Sequence, residues 1–168
     1  LAMAAGQTAP RTDDPVEVVA PAQAVATARQ LLSQNQPVAA RALLLKSLQN
    51  QTPSPEVHKE ALQLLAQASN SIRTSDPLDV SLQKARLALE EGNSRLAEQH
   101  VQAVLKSPTV QSTQSAAATS LMTSIQTKRA ELAAVIPTTL EQAKRDFEDG
   151  RYAQAKAELQ MVDRSGVT

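Results

Sequence analysis

The residues whose types could do chemistry are two histidines, two adjacent carboxylate pairs and one stretch rich in serine and threonine. His58 and His100 would suit metal ligation or proton transfer. Their acidic neighbours Glu60 and Glu98 stand only two residues away, which puts them on another face of a helix. Solvated or rim histidines are therefore expected. Glu90-Glu91 and Glu148-Asp149 recur at one place in two related segments. A general acid/base pair needs burial or convergence in a pocket, whereas these stand at helix ends open to water. Ser112 to Thr127 offers many hydroxyls but no His or Lys placed to activate one, so a polar helix face is expected. With no cysteine there is no thiol nucleophile and no thiolate metal site. Gly92 and Gly150 are isolated and belong to no phosphate-cradling loop. No catalytic, cofactor-binding or metal-binding residue is assigned, and the chain is not expected to be an enzyme.

One polar feature is repeated. Arg29, Arg86 and Lys144 each follow an alanine at the same place in three similar segments. In a stack of repeats such positions line up, so they are candidates for a partner-binding ladder that would hold an acidic or carboxylate-bearing protein. The alternative is a wet surface on which Arg86 pairs with Glu90 and Lys144 with Glu148 at i, i+4. The second arrangement is the expectation. Charge reversal at all three positions should then alter mainly the salt dependence of partner binding.

The elements that position these residues are one helix-turn-helix written three times, beginning near Ala26, Lys84 and Gln142. Ala28, Ala85 and Ala143 are followed four residues later by Leu32, Leu89 and Phe147. Turn residues Asn35, Gly92 and Gly150 come next, then Ala40, Ala97 and Ala155, then Leu44, Val101 and Leu159. The offset is 57 residues from Ala28 to Ala85 and 58 from Ala85 to Ala143. Apolar residues three and four apart, such as Val25, Ala28 and Leu32, share one helical face, and the paired alanines let two backbones approach closely. A further stripe, Val57, Ala61, Leu64, Leu65, Ala68 and Ile72, returns 57 residues later as Ala118, Leu121, Met122 and Ile125. Each unit thus holds three helices, and self-similarity at this spacing predicts an all-α solenoid.

Helices are predicted over about 22–34, 38–50, 55–73, 78–91, 94–106, 109–134 and 139–163, the last broken at Gly150 to make eight segments. Ser54-Pro55, Asp76-Pro77 and Ser107-Pro108 read as N-caps followed by proline at the first helical position. Thr138 and Glu141 have capping-box spacing. Residues 1–21 hold three prolines among small and polar residues and read as a flexible tail, with the repeat domain occupying 22–168. A third helix of the last unit would begin near residue 166, so the domain is expected to continue beyond Thr168, or a partner to cover the stripe that includes Met161 and Val162.

Composition narrows the function. One Phe, one Tyr and no Trp in 168 residues are a poor supply for one deep core, but a solenoid buries only a stripe per repeat. Seventeen basic against seventeen acidic residues give no net charge, which removes the footprint of a nucleic-acid binder. The near-absence of aromatics removes stacking platforms for bases. No segment approaches the roughly 18 consecutive apolar residues of a membrane span. The small-residue run Leu1-Ala2-Met3-Ala4-Ala5-Gly6 looks like the end of a signal peptide, so an exported, periplasmic or cell-envelope location is expected, with the cytoplasm as alternative.

Ala143 to Leu159, AKRDFEDGRYAQAKAEL, resembles a tetratricopeptide hairpin in its small residue, aromatic, glycine turn, Tyr152 and Ala155. Ala85 to Pro108 is similar and adds the closing proline. The resemblance covers the three hairpins. It implies a non-catalytic scaffold whose surface binds a partner protein or other copies of itself, with no cofactor, nucleic acid or small-molecule substrate. The chain departs from that family in its longer period and its lack of most aromatics. Its proline-rich start ahead of such repeats is also similar to the N-terminal region of some bacterial outer-membrane secretins, which makes a secretion or pilus assembly module one alternative and a self-assembling subunit another.

Overall fold

The computed structural model describes residues 20–167. Among them the chain is all-α, with eight helices and no strand: α1 (Pro21–Ser33), α2 (Pro37–Asn50), α3 (Pro55–Thr74), α4 (Pro77–Glu90), α5 (Ser94–Leu105), α6 (Ser112–Ala133), α7 (Ile136–Glu148) and α8 (Tyr152–Ser165). The tail expected over 1–21 lies outside the described residues except for Ala20 and Pro21, and Pro21 already opens α1.

Three hairpins, α1–α2, α4–α5 and α7–α8, close with the same turn. Asn35, Gly92 and Gly150 all take positive φ, at 57°, 74° and 79°. The next amide reaches back to the last turn of the preceding helix: Gln36 to the Leu31 carbonyl at 2.8 Å, Asn93 to Ala88 and Arg151 to Asp146 at 2.7 Å each. A left-handed residue at this point satisfies carbonyls that a helix end would otherwise leave open. The two helices then touch through alanine. Ala28, Ala40, Ala85 and Ala97 are fully buried and Ala143 and Ala155 nearly so, as the sequence spacing requires.

Helix starts follow local chemistry. Ser54 Oγ accepts the Val57 amide at 3.4 Å and Asp76 Oδ1 accepts that of Leu78 at 2.7 Å, each ahead of a proline whose missing N–H costs nothing in the first turn. Two expected starts are corrected. Ser107-Pro108 does not begin α6: the Ser107 amide still bonds to the Val104 carbonyl at the end of α5, and its hydroxyl accepts the Thr109 amide in a local turn. The helix begins at Ser112 instead, where Gln114 Oε1 accepts the Gln111 amide at 3.1 Å. Thr138 and Glu141 form no capping box, because α7 already starts at Ile136 and carries proline in its first turn.

α3 packs on both α1 and α2, and α6 on both α4 and α5. Each trio closes its own core. The first gathers Val25, Ala28, Ala40, Leu44, Ala61 and Leu64; the second gathers Leu82, Ala85, Ala97, Val101, Val104, Ala118 and Ile125 among others. The trios join where α2 meets α4, and there Gln83 accepts the Val38 amide at 3.4 Å and donates to the Asn35 carbonyl at 3.3 Å. The last hairpin attaches differently, α8 against α5 and α7 against the end of α6. Arg129 fixes this joint by pairing with Glu98 and donating to the Ser165 carbonyl, while Arg95 meets Asp163 at 2.9 Å.

Candidate interaction surface

The hairpin turn of α7–α8 is organised by Asp146. Its backbone carbonyl receives the Arg151 amide, and its nearly buried carboxylate receives Arg151 Nε at 3.0 Å, Arg151 Nη2 at 2.6 Å and Gln142 Nε2 at 3.0 Å. The bond to Asp146, first among the causes, holds the Arg151 guanidinium above its ordinary value. Glu158 on α8 is pushed up by burial and by the charge of Asp146, with Arg151 acting in the opposite sense. A fork-to-carboxylate pair clamped across a turn fixes how the two helices splay.

Outside that clamp the hairpin is apolar and open. Leu140 and Phe147 project from α7, and Tyr152, Leu159 and Met161 from α8, all exposed. Phe147 and Tyr152 meet edge to face with ring centroids 5.3 Å apart. Beside them a groove of 430 Å³ is lined by Ala155, Lys156, Leu159, Gln160 and Asp163. Met161 is exposed as the sequence suggests, but Val162 is half-buried against the α5 side of the joint. A second groove, of 510 Å³, runs where α2, α3 and α4 meet. Its apolar floor of Val38, Leu45, Ile72 and Leu87 is edged by Arg41, Lys46 and Lys84, with no acidic side chain among the described residues of its lining.

The repeated cations are placed unequally. Arg29 on α1 forms an ion pair with Glu60 on α3, across helices. Arg86 and Lys144 are exposed, and among the described residues neither has a carboxylate within 4 Å, so the i, i+4 pairs with Glu90 and Glu148 do not form. Side-chain lengths allow those pairs, but nothing in a wet helix face holds them together.

The remaining polar residues settle into ordinary roles. His58 is exposed. His100 is half-buried, and burial, followed by the charge of Lys84, lowers its pKa. Thr119, Thr123, Ser124 and Thr127 each donate to the carbonyl four residues earlier, as hydroxyls along a helix face do. Among the described residues no three His, Asp or Glu side chains gather as a metal site, and no helix is long and apolar enough to cross a membrane.

Sequence reasoning missed two features here. Asp146 as the clamp of the turn was hidden because its partner Arg151 comes to it through backbone folding, five residues on. The basic edge of the second groove was hidden because Arg41, Lys46 and Lys84 come from different helices. No family model, curated protein or solved structure matches this chain.

Proposed function

We propose that this chain is a non-catalytic protein-interaction scaffold, a tetratricopeptide-like α-solenoid of three-helix units with a 57–58-residue period. The observation that carries the reading is the distribution of apolar surface. Nine large apolar side chains are exposed among the described residues, and six of them, Val135, Leu140, Phe147, Tyr152, Leu159 and Met161, fall on α7, α8 and the turn before them. Single exposed apolar residues are normal on any protein, but a concentration of them on one hairpin, where Phe147, Tyr152 and Leu159 line one groove, marks an interaction surface. The chain holds only one Phe and one Tyr, and both stand on that surface. Aromatic anchors are the residues most enriched where binding energy concentrates.

Support for the solenoid comes from the three hairpins, which share a turn, a pair of buried alanines and helix starts at Pro37, Ser94 and Tyr152. Two of them bury a core with a third helix, so the chain needs no single deep interior.

Light scattering on the purified chain over a range of concentrations tests the reading. A recruiting scaffold stays monomeric, whereas growth of dimers and larger species with concentration would replace it by a self-assembling subunit. Cross-linking of partners in cell extract, compared between the wild type and Leu159→Asp, then identifies what depends on the exposed face.

A further inference from the structure

The first two hairpins show what the third lacks. Leu44 of α2 is 1 % exposed and Val101 of α5 0 %, because α3 and α6 lie over them; Leu159, at the same place on α8, is 51 % exposed. On the partner helices Val25 and Leu82 are buried, but Leu140 is 42 % exposed. The paired alanines of the hairpin, Ala143 and Ala155, remain buried. The α7–α8 hairpin is thus complete in itself, and what is open is the face that a third helix covers elsewhere in the same molecule.

The two covering helices define the occupant. α3 presents Ala61, Leu64, Leu65 and Ala68, and α6 presents Ala118, Leu121, Met122 and Ile125: a small residue, then large apolar ones three and four later, then another apolar residue at seven. That is one stripe of an amphipathic helix. Charge adds a second requirement. Arg29, next to Ala28, is held by Glu60, which immediately precedes Ala61 on α3. Lys144 stands next to Ala143 in the same way and, among the described residues, forms no ion pair. In α6 the corresponding residue is Ala117, and among the described residues Arg86 correspondingly forms no ion pair. A helix of the α3 type therefore fits the open face better than one of the α6 type.

We propose that the α7–α8 face is a docking site for an amphipathic helix of a separate protein, bearing an acidic residue followed by Ala, then Leu three and four residues later and a small or apolar residue at seven. A second copy of this chain offers no such helix among its described residues, since the stripes of its own α3 and α6 are already covered. Phe147 and Leu159 are the apolar anchors of the site and Lys144 its charge reader. This rests on the scaffold reading and names the surface and the partner's chemistry.

The probe is a synthetic peptide of residues 55–74, the α3 sequence, added in trans to the full chain. It should bind one to one, with NMR shift changes confined to α7 and α8. Leu159→Asp and Phe147→Glu should each weaken binding by about tenfold or more, and both residues are exposed, so helicity by circular dichroism should be retained. Lys144→Glu should weaken it several-fold, and a peptide carrying Glu60→Lys should recover the loss against that variant. Leu62→Asp, which alters a similarly exposed leucine on α3, should leave binding unchanged. No binding at peptide concentrations up to about 1 mM would overturn the proposal. So would shift changes at α1 and α2, which would mean that the peptide displaces α3, or binding insensitive to Leu159→Asp. A wild-type dimer abolished by Leu159→Asp would assign the face to a second copy, and light scattering without peptide keeps that outcome, which also ends the scaffold reading, apart from failure of the peptide alone.

Discussion

Alanine is the residue that decides how close the helices of each hairpin lie. Ala97 is fully buried among Val101, Val104 and Ala118, and a longer side chain there has no free volume to enter. Ala97→Leu should destabilise the fold by about 1–3 kcal/mol through overpacking. Thermal unfolding should show it as a loss of roughly 2–4 °C per kcal/mol, and an unchanged midpoint would mean that the contact is looser than its burial implies. These alanines were legible in the sequence because the same spacing recurs three times. Asp146 was not: a carboxylate on an amphipathic helix reads as solvated, and only the turn that brings Arg151 back makes it a clamp. His100 is a further residue-scale case. Burial and Lys84 lower its pKa in the folded chain, so the unfolded chain takes up the proton first as pH falls. Stability from this group is complete above the unfolded value of about 6.5 and declines as pH drops from there toward the lower folded value. Between pH 7.5 and 5 the wild type should lose more in melting temperature than His100→Gln, and parallel curves would show that the histidine is effectively solvated.

The helices themselves were legible in nearly every case, since a 3.6-residue apolar period and proline or glycine punctuation specify where each runs. What failed were starts read from a single dipeptide. Ser107-Pro108 has the composition of an N-cap, yet the serine is still hydrogen-bonded to the preceding helix, and a turn intervenes before α6. The turns give a graded test of local chemistry. Gly150 has a φ of 79° and open space where a side chain would stand, so Gly150→Ala pays only the left-handed backbone, about 1–2 kcal/mol. Gly166, at a φ of 66°, caps α8 with Arg129 Nη2 only 2.7 Å from where a Cβ would sit. Gly166→Ala should therefore cost more than Gly150→Ala, because the guanidinium that holds Glu98 and the Ser165 carbonyl must shift as well. Urea unfolding of the two variants ranks them, and equal midpoints would show that Arg129 moves aside freely.

At the scale of the molecule, the two closed cores and the single open hairpin make stability uneven along the chain. Helices α1 to α6 bury two apolar clusters, whereas among the buried apolar residues of α7 and α8 only Ala143 and Ala155 appear. The order of helices in the chain was readable from the repeated stripes. The way the trios join was not, since α2 meets α4 while α5 meets α8, and no pattern within one segment specifies a contact between units. Regions with few buried apolar contacts open at a lower free energy than closed cores. Hydrogen exchange should consequently find the amides of α7 and α8 losing protection first, with α2 and α5, each packed against three other helices, losing it last. Residues next to the Arg129 joint at the end of α8 should exchange more slowly than those around Phe147, because that end is tied to α5 and α6. Addition of a helix that fits the open face should raise protection across α7 and α8 while leaving α1 to α3 as they were, since occupancy of the third position supplies there the apolar contacts that α3 and α6 supply in the other two. Uniform protection along all eight helices without any added helix would instead mean that the chain opens as one cooperative unit, with the last hairpin held by its joint to α5 and α6 as firmly as by a core.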